Sequence, residues 1–323
     1  MKKTILFLSI LLAAQIGLGI ALNLNRQQLA VFQPTASLLS FDKNGVDTIT
    51  ITGQEGKKVR LVKKDDKWVL PDAFNFPADQ ESVKRLLGNM ADMKKDWPVA
   101  TTAEAAERFK VSKDNFERHI ILHQGDKPVV DLFVGTSPGF RKVHVRMAGS
   151  NDVLAVKFST YEAGVTADNW IDKNYLHLDE KTIKGISLPG IDLIRKGGNL
   201  VLADLAADEE MNKEAVDTLT GQVAKLSIES ILGRQNKKEY NQDKPKLTCS
   251  VQIDSGSKRI YTFSQPEKKD WFVLKSPDSD LYFKIGGWQV KPLLDAKRDS
   301  LVKKKESKQK QETSQKEIGI PGK

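Results

Sequence analysis

The stretch Asp79–Met93, DQESVKRLLGNMADM, decides the fold because it predicts the main helix of a repeated unit. Its apolar residues follow the i, i+3, i+7, i+10 spacing of one helical face: Val83, Leu86, Met90 and Met93. Asp79 stands four residues ahead of this face and is the expected N-cap, because its side chain accepts from the first free N–H groups of a helix. We therefore expect an amphipathic helix with one buried face.

The same pattern recurs 133 residues later in Asn212–Leu226, NKEAVDTLTGQVAKL. Three short strands are predicted ahead of each helix, since apolar residues alternate with polar ones. In the first half these are Ile49 with Ile51, Val59 with Leu61, and Trp68 with Leu70. In the second half they are Ile186 with Leu188, Ile191–Ile194, and Leu200 with Leu202, the last after a Gly197-Gly198 turn. The shared spacing, cap and strand order indicate a duplication or two similar modules.

Further strands are predicted after each helix, at 119–123, 129–134, 143–147 and 153–156, and at 247–253, 260–263, 271–274 and 281–285. Short helices are expected at 102–109 and 288–301. The predicted fold class is α+β: two tandem similar modules of mostly antiparallel sheet, each with one main helix, preceded by one N-terminal transmembrane helix. The predicted boundaries are 1–26 for the anchor, 40–180 and 181–302 for the modules, and 303–323 for a disordered basic tail.

The N-terminus predicts a membrane anchor. Thr4–Leu22 is a run of 19 uncharged residues behind Lys2 and Lys3, long enough to cross a bilayer. A cleaved signal peptide is the alternative, but the run is longer than the apolar region of a usual signal peptide, about 7 to 15 residues, and lacks a clean cleavage triplet. The positive-inside rule leaves the N-terminus in the cytoplasm and the body on the extracytoplasmic, periplasmic side of the inner membrane. Small residues spaced by four line one face of this run: Ser9, Ala13, Gly17 and Ala21.

The charge distribution argues against nucleic-acid binding. The chain carries a net charge of +9, but most of it lies at the two ends, with +3 up to Arg26 and +4 from Lys303 onward. The body between them is close to neutral, whereas a nucleic-acid footprint needs a basic face within a domain. We therefore expect no nucleic-acid partner.

Motifs for nucleotide, hydrolase or metal chemistry are absent from the sequence. His119 and His123 are four apart, but they fall in a predicted strand, so ordinary half-exposed histidines are favoured over a metal pair. The lone Cys249 alternates with apolar residues and is expected to be a buried structural thiol. Carboxylate pairs such as Glu209-Glu210 and Asp278 with Asp280 are expected in solvated loops. The sequence therefore predicts no catalytic residue, no cofactor, no metal ligand and no enzyme.

Four of the five tryptophans lie within a predicted strand or just after one: Trp68, Trp170, Trp271 and Trp288. Packing in the core is expected for these side chains. The alternative for these rings is a surface on which glycans stack.

Three segments resemble the family catalogued as domain of unknown function 4340: Asp66–Leu70, the helix Val83–Met93, and Phe158–Tyr161 followed by Asn169–Ile171. The resemblance extends over roughly residues 45 to 300, although Leu200 replaces the tryptophan expected near the third strand of the second half. It implies a single N-terminal span, repeated modules, and genes often placed beside ABC exporters of the gliding-motility auxiliary class. It implies no catalytic residues.

Two functions remain open. The favoured hypothesis is a non-enzymatic, membrane-anchored extracytoplasmic accessory subunit of an ABC-type export system or similar envelope complex, with an ABC permease or other envelope protein as partner. The alternative is an envelope module that binds glycan or peptide ligands, with a hydrolytic site not evident from motifs.

Overall fold

A computed structural model describes residues 36–254 and 256–305, together with Leu12 and Gln15. The predicted anchor at 1–26 otherwise lies outside the described residues, as does the tail from 306 onward. No helix within the described part is both long and apolar enough to cross a membrane. The described residues form two compact units, one of residues 36–63 and 81–165 and the other of residues 64–80 and 166–305.

The described elements confirm an α+β fold with mostly antiparallel sheets. The helices are α1 (Gln80–Ala91), α2 (Ala103–Arg108), α3 (Lys213–Ala224) and α4 (Gly287–Asp295). The strands up to the middle of the chain are β1 (Thr48–Gly53), β2 (Lys58–Lys64), β3 (Lys67–Leu70), β4 (Phe76–Pro77), β5 (Arg118–Gln124), β6 (Lys127–Val134), β7 (Lys142–Met147) and β8 (Leu154–Lys157). The later strands are β9 (Ile183–Leu188), β10 (Ile191–Lys196), β11 (Asn199–Leu202), β12 (Glu209–Met211), β13 (Ser230–Gly233), β14 (Leu247–Ile253), β15 (Lys258–Ser264), β16 (Trp271–Lys275), β17 (Tyr282–Gly286) and β18 (Val302–Lys304).

Unit 1, the unit of residues 36–63 and 81–165, contains six neighbouring strands in the order β2-β1-β5-β6-β7-β8. All five ladders are antiparallel. The alternation seen in the sequence places every second residue in the core, so Ile49 lies opposite Leu122 and Ile51 opposite Ile120, all of them fully buried. The last strand, β8, lies at the end of this order.

Unit 2, the unit of residues 64–80 and 166–305, contains a sheet of order β11-β10-β9-β14-β15-β16-β17-β13. Its segment β10-β9-β14-β15-β16-β17 follows the same order as the six strands of unit 1, again with antiparallel ladders. The predicted Gly197-Gly198 turn is found, with φ of 56° and 88°, values that glycine adopts without strain. The hairpin of β3 and β4 also belongs to this unit.

Both main helices are present, but they end earlier than predicted. Met93 and Leu226 lie beyond α1 and α3, although both side chains are buried. The carbonyl of Met93 accepts from the N–H of Leu38 (2.8 Å), so the backbone there pairs with an extended segment instead of continuing the helix. Asn212 occupies the N-cap position of α3, but its Nδ2 donates to the carbonyl of Ser300 (3.1 Å), so the predicted cap hydrogen bond is not formed.

A small two-stranded sheet joins β12 to β18 and was not predicted. Its pairs are Glu209 with Lys304, Glu210 with Lys303, and Met211 with Val302. Lys303 and Lys304 are the first residues of the stretch for which disorder is predicted. The predicted domain boundaries otherwise remain predictions.

Candidate functional site

The two histidines of β5, His119 and His123, lie among other side chains of unit 1. His119 Nε2 lies 2.7 Å from Asp131 Oδ1, and its ring stacks on Phe133 with 4.3 Å between centroids. His123 Nδ1 is buried and has no hydrogen-bond partner in the part of the chain that is described. No group of three His, Cys, Asp or Glu among the described residues is arranged to hold a metal ion.

His144 lies on β7 and is buried, with Nδ1 at 2.9 Å from Thr136 Oγ1 and the ring against Phe109. Burial lowers the pKa of this imidazole because the charged form is poorly solvated there. Cys249 is also fully buried, and burial raises the pKa of its thiol to about 12. The thiol is thus protonated at neutral pH and packs as an apolar side chain, as predicted.

The acidic pair Glu209-Glu210 does not lie in a solvated loop, contrary to the prediction. Both residues are in β12, and Glu209 accepts two hydrogen bonds from Arg298, at 2.9 and 2.7 Å. Arg298 also donates to Asp204 Oδ2 (2.8 Å). This cluster fastens one loop of unit 2 to the segment before β18, so its role is structural. Asp280 forms an exposed ion pair with Arg234 (2.6 Å).

The expectation that the tryptophans pack in the core is confirmed for Trp68 and Trp170, which are 7% and 2% exposed. It is wrong for Trp288, which is 73% exposed, and the fifth tryptophan, Trp97, is 74% exposed. The position of a tryptophan after a strand does not fix its burial, because burial depends on which other elements cover that strand end.

The exposed apolar side chains of unit 1 lie on three segments next to β8. Within the described residues the large exposed hydrophobics of this unit are Trp97, Val99, Phe140 and Tyr161. Val99 donates its N–H to the carbonyl of Val153, directly ahead of β8. Phe140 precedes Arg141, whose carbonyl accepts from Phe158, and Tyr161 follows β8 by four residues. We call these four side chains the β8 apolar cluster.

A cleft of about 830 Å³ lies beside part of this cluster. Its walls include Phe140 and Tyr161, the cations Arg141, Lys142 and Lys157, and the carboxylates Asp92 and Glu162. The Glu162 carboxylate is held by a hydrogen bond from Asn89, and Arg141 lies over the Phe140 ring at 5.0 Å from its centroid. The volume lies in the range of ligand sites, and the lining combines aromatic rings with a few charged groups.

A smaller cavity in unit 2, of about 340 Å³, is lined by Arg195 and Glu180 among others. The guanidinium of Arg195 donates to the carbonyls of Ile183 (2.6 Å), Gly198 (2.6 Å) and Glu180 (2.9 Å). Its donors are thus used to hold backbone in place. Among the cavities described, the cleft of unit 1 has the larger volume and carries two exposed aromatic rings, which makes it the better candidate site.

None of the four residues of the β8 apolar cluster was predicted from the sequence to be a site residue. A signal was present: Phe140 follows Ser137-Pro138-Gly139, and Trp97 precedes Pro98. A large apolar residue beside a turn-forming Pro or Gly indicates an exposed position, because such turns lie on the surface.

Comparisons with known proteins add one finding. A family model described as Domain of unknown function (DUF4340) matches residues 68–245, a range that includes the whole β8 apolar cluster. No curated protein and no solved structure shows a significant match to the chain.

Proposed function

The chain belongs to the DUF4340 family, whose model covers more than half of its length, and from this premise we propose a non-enzymatic accessory role. The protein would be anchored in the inner membrane and would act on the extracytoplasmic side of an ABC-type export system or a similar envelope complex. The family description itself names no activity.

The observation that carries the proposal is the β8 apolar cluster. Three of its side chains are more than 70% exposed: Trp97, Phe140 and Tyr161. Phe140 and Tyr161 line the same cleft, and Trp97 lies on the segment that bridges to the start of β8. Exposed apolar patches on a soluble domain mark binding sites. Aromatic residues are also the residues that most often dominate binding energy at protein interfaces. We therefore assign the surface to a partner protein.

The uncharged run Thr4–Leu22 supports a partner within the membrane. A single span keeps the body close to the bilayer, which raises its effective concentration at any membrane-embedded partner. An ABC permease is the partner that the family resemblance implies.

We also infer that units 1 and 2 are two copies of one module. Six strands follow the same order in each unit, with the same antiparallel directions. The sequences of α1 and α3 share their apolar spacing at an offset of 133 residues.

Isolation of the full-length chain from mildly cross-linked membranes of its own host tests the proposal. We expect an ABC permease and its ATPase to be recovered with the chain in stoichiometric amounts. A matched control replaces residues 1–26 by an unrelated membrane span, which keeps the chain in the membrane. Recovery of the chain without either transport protein would contradict the proposal.

The cleft beside Phe140 and Tyr161 favours a second candidate, an envelope module that binds a glycan or a peptide. Aromatic rings stack on sugar faces, and Asp92 and Glu162 could accept hydroxyl hydrogen bonds. Titration of the full chain with soluble cell-wall glycan fragments tests this role. Saturable binding that Tyr161→Ala abolishes would favour it, whereas no binding would leave the accessory role as the better account.

A further inference from the structure

The geometry points to β8 as a docking strand: we propose that its outer edge binds an extended, acidic and apolar segment of a partner protein by β-strand addition. Ala155 and Lys157 would supply the backbone hydrogen bonds, and the β8 apolar cluster would contact alternate side chains of the segment. In this mode the backbone provides affinity and the flanking pockets provide specificity. The inference rests on the proposed function, since the segment is taken to belong to the partner.

Two sets of hydrogen bonds fix which backbone groups of β8 point outward. Phe158 donates its N–H to the carbonyl of Arg141 (3.2 Å), so its backbone faces β7. Val153 instead donates to Ala100 and accepts from Val99, both at 2.8 Å, so its backbone faces away from β7. Antiparallel strands alternate between these two orientations. Counting along β8 from Phe158 or from Val153 gives the same result: the backbone N–H and C=O groups of Ala155 and Lys157 point away from the sheet.

These outer groups have no hydrogen-bond partner among residues 36–305 as described. Ala155 is half-buried and Lys157 is exposed. The segment ahead of α2 covers the edge at one point only, through the isolated bridge between Ala100 and Val153. Beyond that bridge, no strand of the described residues pairs with the outer edge of β8.

Unit 2 shows what a covered edge looks like. There β17 occupies the place of β8 in the strand order, and β13 pairs with it. The ladder begins at Gly233 with Tyr282 and continues through Ile231 with Phe283 and Ser230 with Lys284.

The segment that lies 133 residues before β13 is Trp97–Ala100, and it carries Pro98 where β13 carries Ile231. Proline has no N–H to donate and is excluded from the interior of a ladder. Pro98 itself removes no bond to β8, because the N–H of Val99 points to β8 and the backbone of Pro98 therefore faces away from it. Trp97 has the same orientation as Val99, but its N–H donates to Asp96 Oδ1 (2.8 Å) instead of to β8, so the ladder ends at Ala100. The outward backbone groups of Ala155 and Lys157 are thus left without a partner among the described residues, and a strand from another chain would supply one.

The surroundings of the edge select the chemistry of the added segment. An edge strand that has no partner usually carries polar or charged side chains, which prevent it from pairing with other chains. Here the flanking positions carry Trp97, Val99, Phe140 and Tyr161, which suit apolar side chains.

Charge adds a preference for acidic residues. Arg141, Lys142 and Lys157 are exposed and form no ion pair with any described residue. The carboxylates that line the cleft at this end of β8 are fewer, Asp92 and Glu162, and the latter is already hydrogen-bonded by Asn89. Asp96 and Asp152 lie beside the other end of the edge, next to Trp97 and Val153. We therefore expect at least one carboxylate in the bound segment.

Site-specific photo-crosslinking of the full chain in its host tests the inference. Tyr161 is replaced by p-benzoylphenylalanine, and the crosslinked peptide is identified by mass spectrometry. The control places the same probe at Lys84 of α1, a position that is 79% exposed and outside the cluster. We expect a crosslink from position 161, and none from position 84, to one extended acidic and apolar segment of a membrane partner.

A second change isolates the backbone edge. Ala155→Pro removes one outward N–H without removing a bond to β7, while Ala155→Val keeps that N–H. We expect the proline to lower the crosslink yield roughly tenfold, the effect of losing about one backbone hydrogen bond, and the valine to leave it nearly unchanged. Phe140→Ser, at a side chain 87% exposed, should also lower it and does not depend on how the strand tolerates proline.

The outcomes separate this inference from the proposed function. If the transport proteins are still recovered with the chain but position 161 gives no crosslink, docking at β8 is wrong and the accessory role stands. Equal crosslinking in Ala155→Pro, Phe140→Ser and the unchanged chain would also overturn the docking, as would a crosslink to a glycan or to a second copy of this chain. A crosslink to a segment of a protein that belongs to no export system and no other envelope complex would support docking and contradict the proposed function.

Discussion

Arg298 joins two parts of unit 2 through three carboxylate contacts. Its guanidinium contacts Asp204 once and Glu209 twice, and the Glu209 side chain is only 18% exposed. The hydrogen bonds from Arg298 hold the pKa of Glu209 down to about 2, from an ordinary value of 4.5, and the same contacts raise the pKa of Arg298. Because the folded pKa of Glu209 is depressed, its contribution to stability is full above pH 4.5 and is lost as the pH falls toward 2.

We predict that Glu209→Gln lowers the melting temperature of unit 2 at neutral pH and that this difference shrinks between pH 4.5 and about 2. The reason is that acid protonates the unfolded chain before it protonates the folded one. Thermal unfolding of the detergent-solubilised chain at several pH values measures the difference. Glu210→Gln, at the exposed neighbour, is the control and should show no such convergence; a constant difference for Glu209→Gln would contradict the account.

At the scale of elements, the end of β6 packs closely against the end of α2. The N–H of Thr136 donates to the carbonyl of Phe109 (2.9 Å), and Gly135 donates to His144 (2.9 Å). A Cβ at Gly135 would lie 2.1 Å from the carbonyl oxygen of Phe109 and 2.3 Å from that of Lys110. Glycine is required at this position because only a missing side chain allows the two backbones to meet.

We therefore predict that Gly135→Ala destabilises unit 1 by on the order of 3 kcal/mol, since backbone atoms must shift to relieve the overlap. Gly88→Ala in α1 is the matched control. A Cβ there meets no atom within 4 Å, and alanine favours the helix, so stability should rise by about 0.5 to 1 kcal/mol. Hydrogen exchange of the β5 and β6 amides measures both changes. If Gly135→Ala leaves the stability of unit 1 unchanged, the close contact between these two backbone segments is contradicted.

The predicted anchor helix is a second element with a test of its own. Its small residues would let a permease helix approach closely, because helices in lipid associate by packing. We predict that Gly17→Leu lowers recovery of the permease with the chain while membrane localisation is unchanged. Equal recovery from Gly17→Leu and the unchanged chain would mean that the anchor only tethers, leaving the β8 edge to bind the partner.

Across the whole molecule, the sequence predicted what depends on local pattern. The strands around Ile49 and Leu122 and the helix faces around Leu86 and Leu219 were found because alternation and 3.6-residue spacing report burial directly. The pairing of β12 with β18 was missed because three-residue charged strands carry no such pattern and gain their order from a partner far along the chain.

The candidate site could not be predicted for a related reason. The exposure of Phe140 and Tyr161 depends on which strand ends the sheet, and the open edge at Ala155 depends on a ladder that stops at Ala100. Both are consequences of register between distant segments. Local sequence shows only Pro98 and the turn before Phe140.

The most direct test of the central claim, a body held outside the cytoplasm on an uncleaved anchor, is cysteine labelling in intact cells. The only native thiol, Cys249, is fully buried and has a pKa raised to about 12, so it should contribute little background. A Lys84→Cys chain, altered at a position 79% exposed, is treated with a membrane-impermeant maleimide and then analysed by intact mass. We predict labelling before lysis, in the membrane fraction, on a chain that retains residues 4–22. Labelling only after lysis, or on a soluble species that begins near Asn23, would contradict the account.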